Sequence, residues 1–217
     1  MMAAIVPAKA LDQAKSRLAK LLSEKERRDL ALAMLEDVLR SLRCVARLET
    51  VVVVSPDDGA LDLARRLGAE PVVEQPSVRG INQALDQVVD YLAPRGIEAV
   101  LVLPADVPGA GPGDIEVVLD ALPPERGMVI CPSARKGTGA LALRPLGLIP
   151  FRFGPDSFTL HRREAAARGI PMRVLRIDSL SNDIDEPPDL QSFWQRGGGE
   201  ATRRLLLDSG LAARLGV

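Results

Sequence analysis

Short, fully apolar runs alternate along the chain with segments whose apolar residues recur every three or four positions. The runs at 51–54 and 100–103 contain no polar residue, which is typical of parallel strands that are covered on both faces. The segment 81–92 follows a helical period, and Ser23 and Glu26 have the spacing of a capping box that opens another helix. The pattern therefore predicts strands joined by helices.

The predicted elements alternate between strand and helix through most of the chain. Strands are predicted at 3–6, 51–54, 70–73, 100–103, 128–131, 140–143 and 172–177, and helices after Ser23, at 58–67, 81–92, 115–122 and 157–168, and as two further helices at the C-terminus. This order favours a doubly wound α/β sheet, mostly parallel, with helices on both faces. We expect one domain over residues 1–197 and a helical tail over 198–217.

The composition removes several classes of function. A net charge of −1 over 217 residues and 3% aromatic residues argue against a nucleic-acid partner, which needs a basic surface or stacking rings. The single histidine, His161, rules out a multi-histidine metal site, and its helical position favours packing over catalysis. No apolar run has the length of a membrane span, no secretory leader is apparent, and Cys44 and Cys131 lack the spacing of a disulfide framework. We therefore expect a cytoplasmic protein without a membrane partner.

Three cations, Lys9, Lys15 and Arg17, follow the first predicted strand at a strand-to-helix junction. Backbone N–H groups and the helix dipole favour anions there, and a triphosphate is the natural guest. The alternative is a solvated amphipathic helix. After the third strand, Gly80 permits close approach of a ligand and Asn82 offers a donor and an acceptor, although a plain loop explains them equally well. Neither a P-loop nor a GxGxxG pattern is present.

Three carboxylates follow other strands. Asp106 lies just past a buried apolar strand, where α/β enzymes place a Mg²⁺ ligand, and it is too far from the next helix to cap it. Asp183 and Asp185 point the same way in extended backbone and repel each other unless a cation lies between them. With Asp106 they could hold Mg²⁺. The alternative assigns Asp185 or Glu186 to capping the helix that begins at Pro187, which accounts for one acid but not for both.

Two segments, 135–140 and 151–158, combine glycine with a hydroxyl residue. Small hydroxyl side chains near free N–H groups can form a nest for phosphate or carboxylate, and ordinary turns are the alternative.

These motifs resemble, in the same order, those of the phosphoenolpyruvate and 2-phospho-L-lactate guanylyltransferases that make the deazaflavin coenzyme F420. The resemblance covers about residues 3–192. It is carried by VPAK at 6–9 with KSRL at 15–18, GINxAL at 80–85, LPxDxP at 103–108, GT at 137–138, FGxxSFxxH at 153–161 and NDIDxPxDL at 182–190. It implies a three-layer α/β/α, Rossmann-like nucleotidyltransferase fold with a mixed sheet, akin to the molybdopterin and sugar nucleotidyltransferases.

The resemblance also implies a reaction, in which GTP gives its GMP to the phosphate of a small phospho-carboxylic acid and diphosphate leaves. Phosphoenolpyruvate is the preferred acceptor, with 2-phospho-L-lactate and 3-phosphoglycerate open. A downstream transferase of the same pathway is an implied partner, and a homodimer is left open. By resemblance, the Mg²⁺ ligands are Asp106, Asp183 and Asp185, and the acceptor site is formed by Thr138, Gly154 and Ser157. The implied GTP contacts are Lys9, Lys15, Arg17, Gly80 and Asn82. The implied catalytic residues are Lys15, Arg17 and Asp106.

The chain departs from the family pattern at two places near the acceptor. Gly139 stands where the family often has asparagine, and Pro155-Asp156 stands where it often has a glycine-rich step.

Two other functions stay open. A molybdopterin or sugar-phosphate nucleotidyltransferase is disfavoured because Ala8–Leu11 replaces the glycine-rich first loop. A non-catalytic nucleotide-binding regulatory subunit is disfavoured because all three carboxylates are present.

Overall fold

A computed structural model describes residues 1–12 and 14–215, which form a seven-stranded sheet between two layers of helices. The strands are β1 Met2–Pro7, β2 Thr50–Ser55, β3 Glu70–Val73, β4 Ala99–Val102, β5 Gly127–Pro132, β6 Thr138–Arg144 and β7 Met172–Val174. The helices are α1 Glu24–Arg43, α2 Asp58–Arg66, α3 Gly80–Leu92, α4 Pro112–Asp120, α5 Ser157–Ala167, α6 Asp178–Ser181, α7 Pro187–Arg196, α8 Glu200–Asp208 and α9 Leu211–Leu215, with 3₁₀ turns at Ser16–Leu18 and Ala93–Arg95.

The sheet has the strand order β3-β2-β1-β4-β6-β5-β7. β1 is parallel to β2 and to β4, β2 is parallel to β3, and β5 is parallel to β7. β6 runs antiparallel to both of its neighbours, β4 and β5. The predicted mostly parallel, mixed α/β sheet is therefore confirmed. The apolar pattern did not identify which strand is reversed, because a fully apolar run carries no signal of direction.

Helices cover both faces of the sheet, as the uninterrupted apolar runs predict. Along β1, Ala4 and Val6 pack with α1, α2 and α4 on one face, and Ala3 and Ile5 pack with α3 and α5 on the other. All four are completely buried. The capping box is also present, since Ser23 Oγ accepts from the Glu26 amide and the Glu26 carboxylate accepts from the Ser23 amide.

Two predicted elements need correction. The strand predicted at 172–177 ends at Val174, because β7 is an edge strand whose pairing with β5 stops at Ile130, and Ile177 already caps α6. The two predicted C-terminal helices are four helices, α6 to α9, in the part of the chain that is described. The helices are interrupted at Gly197–Gly199, between α7 and α8, and at Gly210, between α8 and α9, where each glycine has a positive φ.

Besides the apolar clusters on the two faces of the sheet, a third apolar cluster joins the C-terminal helices to the rest of the molecule. It consists of Leu18, Leu22, Leu30, Met34, Ile184, Leu190, Phe193, Leu206, Leu211 and Ala212. Leu206 packs there with Leu30 and Met34 of α1, while the Asp37 carboxylate of α1 accepts hydrogen bonds of 2.8 Å from the first amides of α8. The boundary between a domain over 1–197 and a tail over 198–217 stays a prediction. Over residues 1–12 and 14–215, none of the helices has the length and apolar character that crossing a bilayer requires.

Candidate active site

The candidate loops meet at one edge of the sheet. In the sheet, β1 lies between β2 and β4, so the strand order reverses at β1. The loops after β1 and β4 therefore leave the sheet in opposite directions, and ligands of α/β sheets bind in the crevice between such loops. Lys15 lies in the first of these loops and Asp106 in the second. Because β6 is antiparallel to β4, its first residue, Thr138, begins at the same edge.

Lys15 joins two of the three predicted metal ligands. Its Nζ donates to Asp106 Oδ2 at 2.8 Å and to Asp185 Oδ1 at 2.9 Å, and only 8% of its side chain is exposed. Burial alone would lower the pKa of Lys15, but the two carboxylates outweigh it and raise that pKa. Burial would likewise raise the pKa of Asp185, but Lys15 holds it below the usual value. The ammonium thus offsets the repulsion between Asp106 and Asp185.

Asp183 is the third carboxylate of the set. Burial and the nearby Asp106 raise its pKa, and its Oδ1 is buried with no hydrogen-bond partner among the described residues. Carboxylate oxygens are the donors that Mg²⁺ prefers, so the chemistry of the set fits this ion. The described residues contain no group of three acidic, histidine or cysteine side chains already arranged around a metal position, and Lys15 lies between two of the three carboxylates.

Main-chain contacts bring the acidic segments together. The Ile184 amide donates to the Asp106 carbonyl at 3.0 Å, which fixes the 183–185 segment beside the loop after β4. Glu186 is the N-cap residue of α7, as one alternative predicted, and the Oδ2 of Asp189 accepts from the amides of Asp185 and Glu186 at 2.9 and 2.7 Å. The Asp185 side chain is therefore directed to Lys15 rather than to a helix cap.

Arg135, in the turn between β5 and β6, is a residue that sequence reasoning missed. Its guanidinium pairs with both carboxylate oxygens of Asp189 at 3.2 and 2.9 Å, and its Nη2 lies 3.4 Å from Asp183 Oδ2 and 3.8 Å from Asp185 Oδ2. Its hydrogen bonds to Asp189 raise the pKa of the guanidinium further. Arg135 begins the segment 135–140, which the sequence singled out for its glycine and hydroxyl residues, but nothing in that pattern assigned a role to the guanidinium.

Lys9 and Arg17 make no ion pair with the three carboxylates in the described part of the chain, although the charge of Arg17 helps to lower the pKa of Asp185. Lys9 is exposed, and Arg17 Nη1 is 3.3 Å from Glu186 Oε1 in a largely exposed pair. Of the three cations after β1, Lys15 alone is paired with a predicted metal ligand in the described part of the chain.

The two hydroxyls predicted for the acceptor site contact each other. Thr138 Oγ1 lies 3.0 Å from Ser157 Oγ and 3.1 Å from His161 Nδ1, and all three side chains are buried. His161 Nε2 accepts from the Arg152 amide at 2.9 Å, which assigns the ring proton to Nδ1. Burial lowers the pKa of His161 to about 4, so the ring is neutral near pH 7 and serves as a hydrogen-bonding member of the core.

Asn82 connects α3 to the segment before α5. Its amide donates to the Phe153 carbonyl at 3.0 Å, and its side-chain oxygen accepts from the Phe153 amide at 2.7 Å. Gly80, at the start of α3, has a φ of 79° and open space around its Cα. The predicted contacts of Asn82 and Gly80 with GTP stay predictions.

The two departures from the family pattern have local consequences. A Cβ on Gly139 would lie 1.7 Å from the Leu180 carbonyl oxygen, so no side chain fits where the family often has asparagine. Before Ser157, Gly154 has a φ of 130° and Asp156 a φ of 55°, so this short turn contains two residues with positive φ.

The family described as "Guanylyl transferase CofC like" matches residues 2–214 of the chain. A phosphoenolpyruvate guanylyltransferase of Sphaerobacter thermophilus is 41% identical over 191 residues, which cover 88% of this chain and 91% of that protein. A 2-phospho-L-lactate guanylyltransferase of Methanothermobacter thermautotrophicus is 36% identical over 203 residues, which cover 94% and 88%.

Solved structures share the fold at low sequence identity. A nucleotidyl transferase from Methanothermobacter has a TM-score of 0.67 and 15% identity, covering 88% of this chain and 95% of that one. A 4-diphosphocytidyl-2C-methyl-D-erythritol synthase from Anaerococcus prevotii has a TM-score of 0.61 and 12% identity, covering 88% and 93%. These likenesses establish the Rossmann-like nucleotidyltransferase fold.

Proposed function

The chain belongs to the CofC-like guanylyl transferases, and we propose that it transfers the GMP moiety of GTP to the phosphate of phosphoenolpyruvate and releases diphosphate. In this role it would serve the biosynthesis of coenzyme F420. The cluster of Lys15, Asp106, Asp183 and Asp185 at the switch point carries the proposal. The choice of phosphoenolpyruvate is supported by relatives of that name at 41% identity, compared with 36% for a relative that is named for 2-phospho-L-lactate.

We further propose Mg²⁺ as the cofactor, held by Asp106, Asp183 and Asp185. When bound, the ion would neutralise charge on the phosphates that react and leave. The orphaned Asp183 oxygen and the all-oxygen donor set support this assignment.

The nucleophile in this reaction is a phosphate oxygen of the acceptor. A phosphomonoester has a second pKa of about 6, so it is already anionic at pH 7 and no general base is required. A chain whose single histidine, His161, is buried and neutral suits this chemistry. The task of the protein is to bring two anions together in line, and Lys15, Arg17 and Lys9 would neutralise the triphosphate and orient the leaving diphosphate.

The acceptor would bind near Thr138, Gly154 and Ser157. Support comes from the two hydroxyls of Thr138 and Ser157, whose oxygens lie 3.0 Å apart, and from the turn that links Thr138 to Arg135 beside the carboxylates. Gly80 and Asn82 are proposed as GTP contacts, with Asn82 also holding the Phe153 backbone next to Gly154.

Diphosphate release tests the proposed function. The protein is incubated with GTP, Mg²⁺ and, in separate reactions, phosphoenolpyruvate, 2-phospho-L-lactate, 3-phosphoglycerate or a sugar phosphate. For the three acids, the downstream transferase is present to consume the product. We expect release with phosphoenolpyruvate. Release with none of the three acids would contradict guanylyl transfer, and release with a sugar phosphate alone would favour the sugar-phosphate alternative.

The downstream transferase is also the proposed physiological partner, because it would take over the guanylylated product. A homodimer and a cytoplasmic location stay predictions. Light scattering of the purified protein tests the first, and cell fractionation tests the second.

A further inference from the structure

We propose that Arg135 and Asp189 form a positioning pair that sets the geometry of the metal-binding carboxylates Asp183 and Asp185. The inference rests on the proposed function, since it concerns the ligands assigned to Mg²⁺ there. Neither Arg135 nor Asp189 would touch the ion or the substrates. Both would act through the residues that do.

Asp189 fixes the backbone on one side of the pair. Its carboxylate accepts from the amides of Asp185 and Glu186, and 13% of the side chain is exposed. The same carboxylate receives both arms of the Arg135 guanidinium. A planar guanidinium on a carboxylate defines an orientation as well as a charge, which a lysine cannot reproduce.

Arg135 extends this geometry to Asp183. Its Nη2 donates to the Asp183 carbonyl at 3.3 Å and lies 3.4 Å from Asp183 Oδ2. The guanidinium therefore contacts both the backbone and the side chain of a proposed metal ligand. It also contributes positive charge among three carboxylates that would otherwise repel one another.

The turn that carries Arg135 is itself held on both sides. The Ala134 amide donates to the Ser181 carbonyl at 3.0 Å, and the Phe158 amide donates to the Lys136 carbonyl at 3.1 Å. One end of the turn thus contacts the segment that leads to Asp183, and the other contacts the start of α5 with Ser157. Arg135 is placed to relate the carboxylates to the proposed acceptor pocket.

Arg135→Lys separates the effect of geometry on metal binding from the effect of charge, because lysine keeps the positive charge but cannot make the two parallel hydrogen bonds to Asp189. Partners that orient metal ligands change metal affinity about 10- to 100-fold when they are altered. We expect Arg135→Lys to weaken Mn²⁺ binding, measured by electron paramagnetic resonance without substrates, about tenfold. The Mg²⁺ concentration for half-maximal GMP transfer should rise by about the same factor, while kcat at saturating Mg²⁺ stays within about threefold of wild type.

Arg95→Lys is the matched control. Arg95 makes the same two-pronged contact with Glu70, at 2.5 and 2.8 Å, near the start of β3 at the opposite edge of the sheet. This variant should bind Mn²⁺ as wild type does. Asp189→Asn and the double variant Arg135→Lys/Asp189→Asn complete a cycle, and the double variant should be little worse than the weaker-binding single variant because both changes disrupt one pair.

The outcomes separate the two proposals. Wild-type Mn²⁺ affinity in Arg135→Lys, an activity loss that high Mg²⁺ does not recover, or independent effects of the two changes would overturn the positioning pair alone. Weakened Mn²⁺ binding in a protein that transfers GMP to none of the acids would leave the pair standing and overturn the proposed function. A wild-type protein that binds no Mn²⁺ would overturn the positioning pair and the assignment of Mg²⁺ to these carboxylates, while diphosphate release would still decide the proposed function.

Discussion

The carboxylate of Asp183 is costly to ionise in its folded position. Burial and the neighbouring Asp106 raise its pKa, and one of its oxygens has no hydrogen-bond partner in the described part of the chain. A buried charge of this kind contributes little to the stability of the fold, and carboxylates with a shifted pKa are frequent at functional sites. Removing the charge of Asp183 should therefore lower activity without lowering stability.

We expect Asp183→Asn to lower kcat/KM for GMP transfer by about 10²–10³-fold, equivalent to roughly 3–4 kcal/mol of lost transition-state stabilisation. The Tm of the variant should equal or exceed that of wild type, because the substitution relieves repulsion between carboxylates. Steady-state kinetics and thermal unfolding measure the two quantities. Asp62→Asn, which changes an exposed residue paired with Arg65, is the control. An activity loss matched by a fall in Tm would show that Asp183 is structural.

The low pKa of His161 predicts how the stability of the fold depends on pH. Burial, with a smaller contribution from Arg152, lowers its pKa to about 4, whereas a histidine in an unfolded chain has a pKa of about 6.5. Above pH 6.5 both states are neutral and the full stability is present. Between pH 6.5 and 4 the unfolded state takes up the proton first, so stability falls as the pH falls, by up to roughly 3 kcal/mol.

Urea unfolding at pH 7, 5.5 and 4.5 measures this loss. His161→Gln removes the titrating ring, so the gap in unfolding free energy between wild type and variant should narrow as the pH decreases. The carboxylates titrate equally in both proteins and cancel in the comparison. A gap that is constant with pH would contradict the low pKa.

The side-chain types at the site were predictable from sequence, but their pairing was not. Strand-end positions pointed to Lys15, Asp106 and Asp185, yet the contacts join residues 91 and 170 positions apart, and no local pattern encodes such a pairing. Arg135 was missed for the same reason, since its partners come from a distant segment of the chain.

At the scale of elements, the apolar runs predicted all seven strands and the helices between them. They could not predict the reversal of β6, because a strand buried on both faces shows the same pattern in either direction. They also overestimated β7, whose edge position leaves it with one pairing partner and a short ladder.

The close contact between β6 and α6 at Gly139 can be tested by substitution. A Cβ there would overlap the Leu180 carbonyl, and a backbone atom cannot move aside as a flexible side chain can. We expect Gly139→Ala to cost about 3 kcal/mol of stability and to lower activity, since displacing α6 also shifts the segment that leads to Asp183.

Gly113→Ala is the comparison for this substitution. Gly113 lies in α4 with open space around its Cα, so alanine there should leave stability unchanged or raise it by about 0.5–1 kcal/mol. Chemical denaturation of both variants measures the difference. Equal stability of the two would mean that β6 and α6 are not in close contact.

At the scale of the whole molecule, the third apolar cluster links the C-terminal helices to the candidate active site. Leu206 and Leu211 of the tail pack in the same cluster as Leu18, which follows Arg17, and Ile184, which lies between the two aspartates. The tail thus supports both the loop after β1 and the acidic segment, although the sequence predicted it only as a helical extension of the domain.

Deletion of residues 198–217 should therefore affect stability and catalysis together. Removing Leu206 and Leu211 uncovers apolar surface on α1, and each buried leucine contributes about 1.5–3 kcal/mol, so Tm should fall by roughly 10–20 °C. The KM for GTP should rise, because Leu18 loses the packing that holds the Lys15 loop in position. Leu206→Ala tests the same contact in the full-length chain, with an expected cost of about 2–5 kcal/mol, should the shortened protein fail to fold. If the deletion left Tm and the KM for GTP unchanged, the tail would be an extension that does not support the active site.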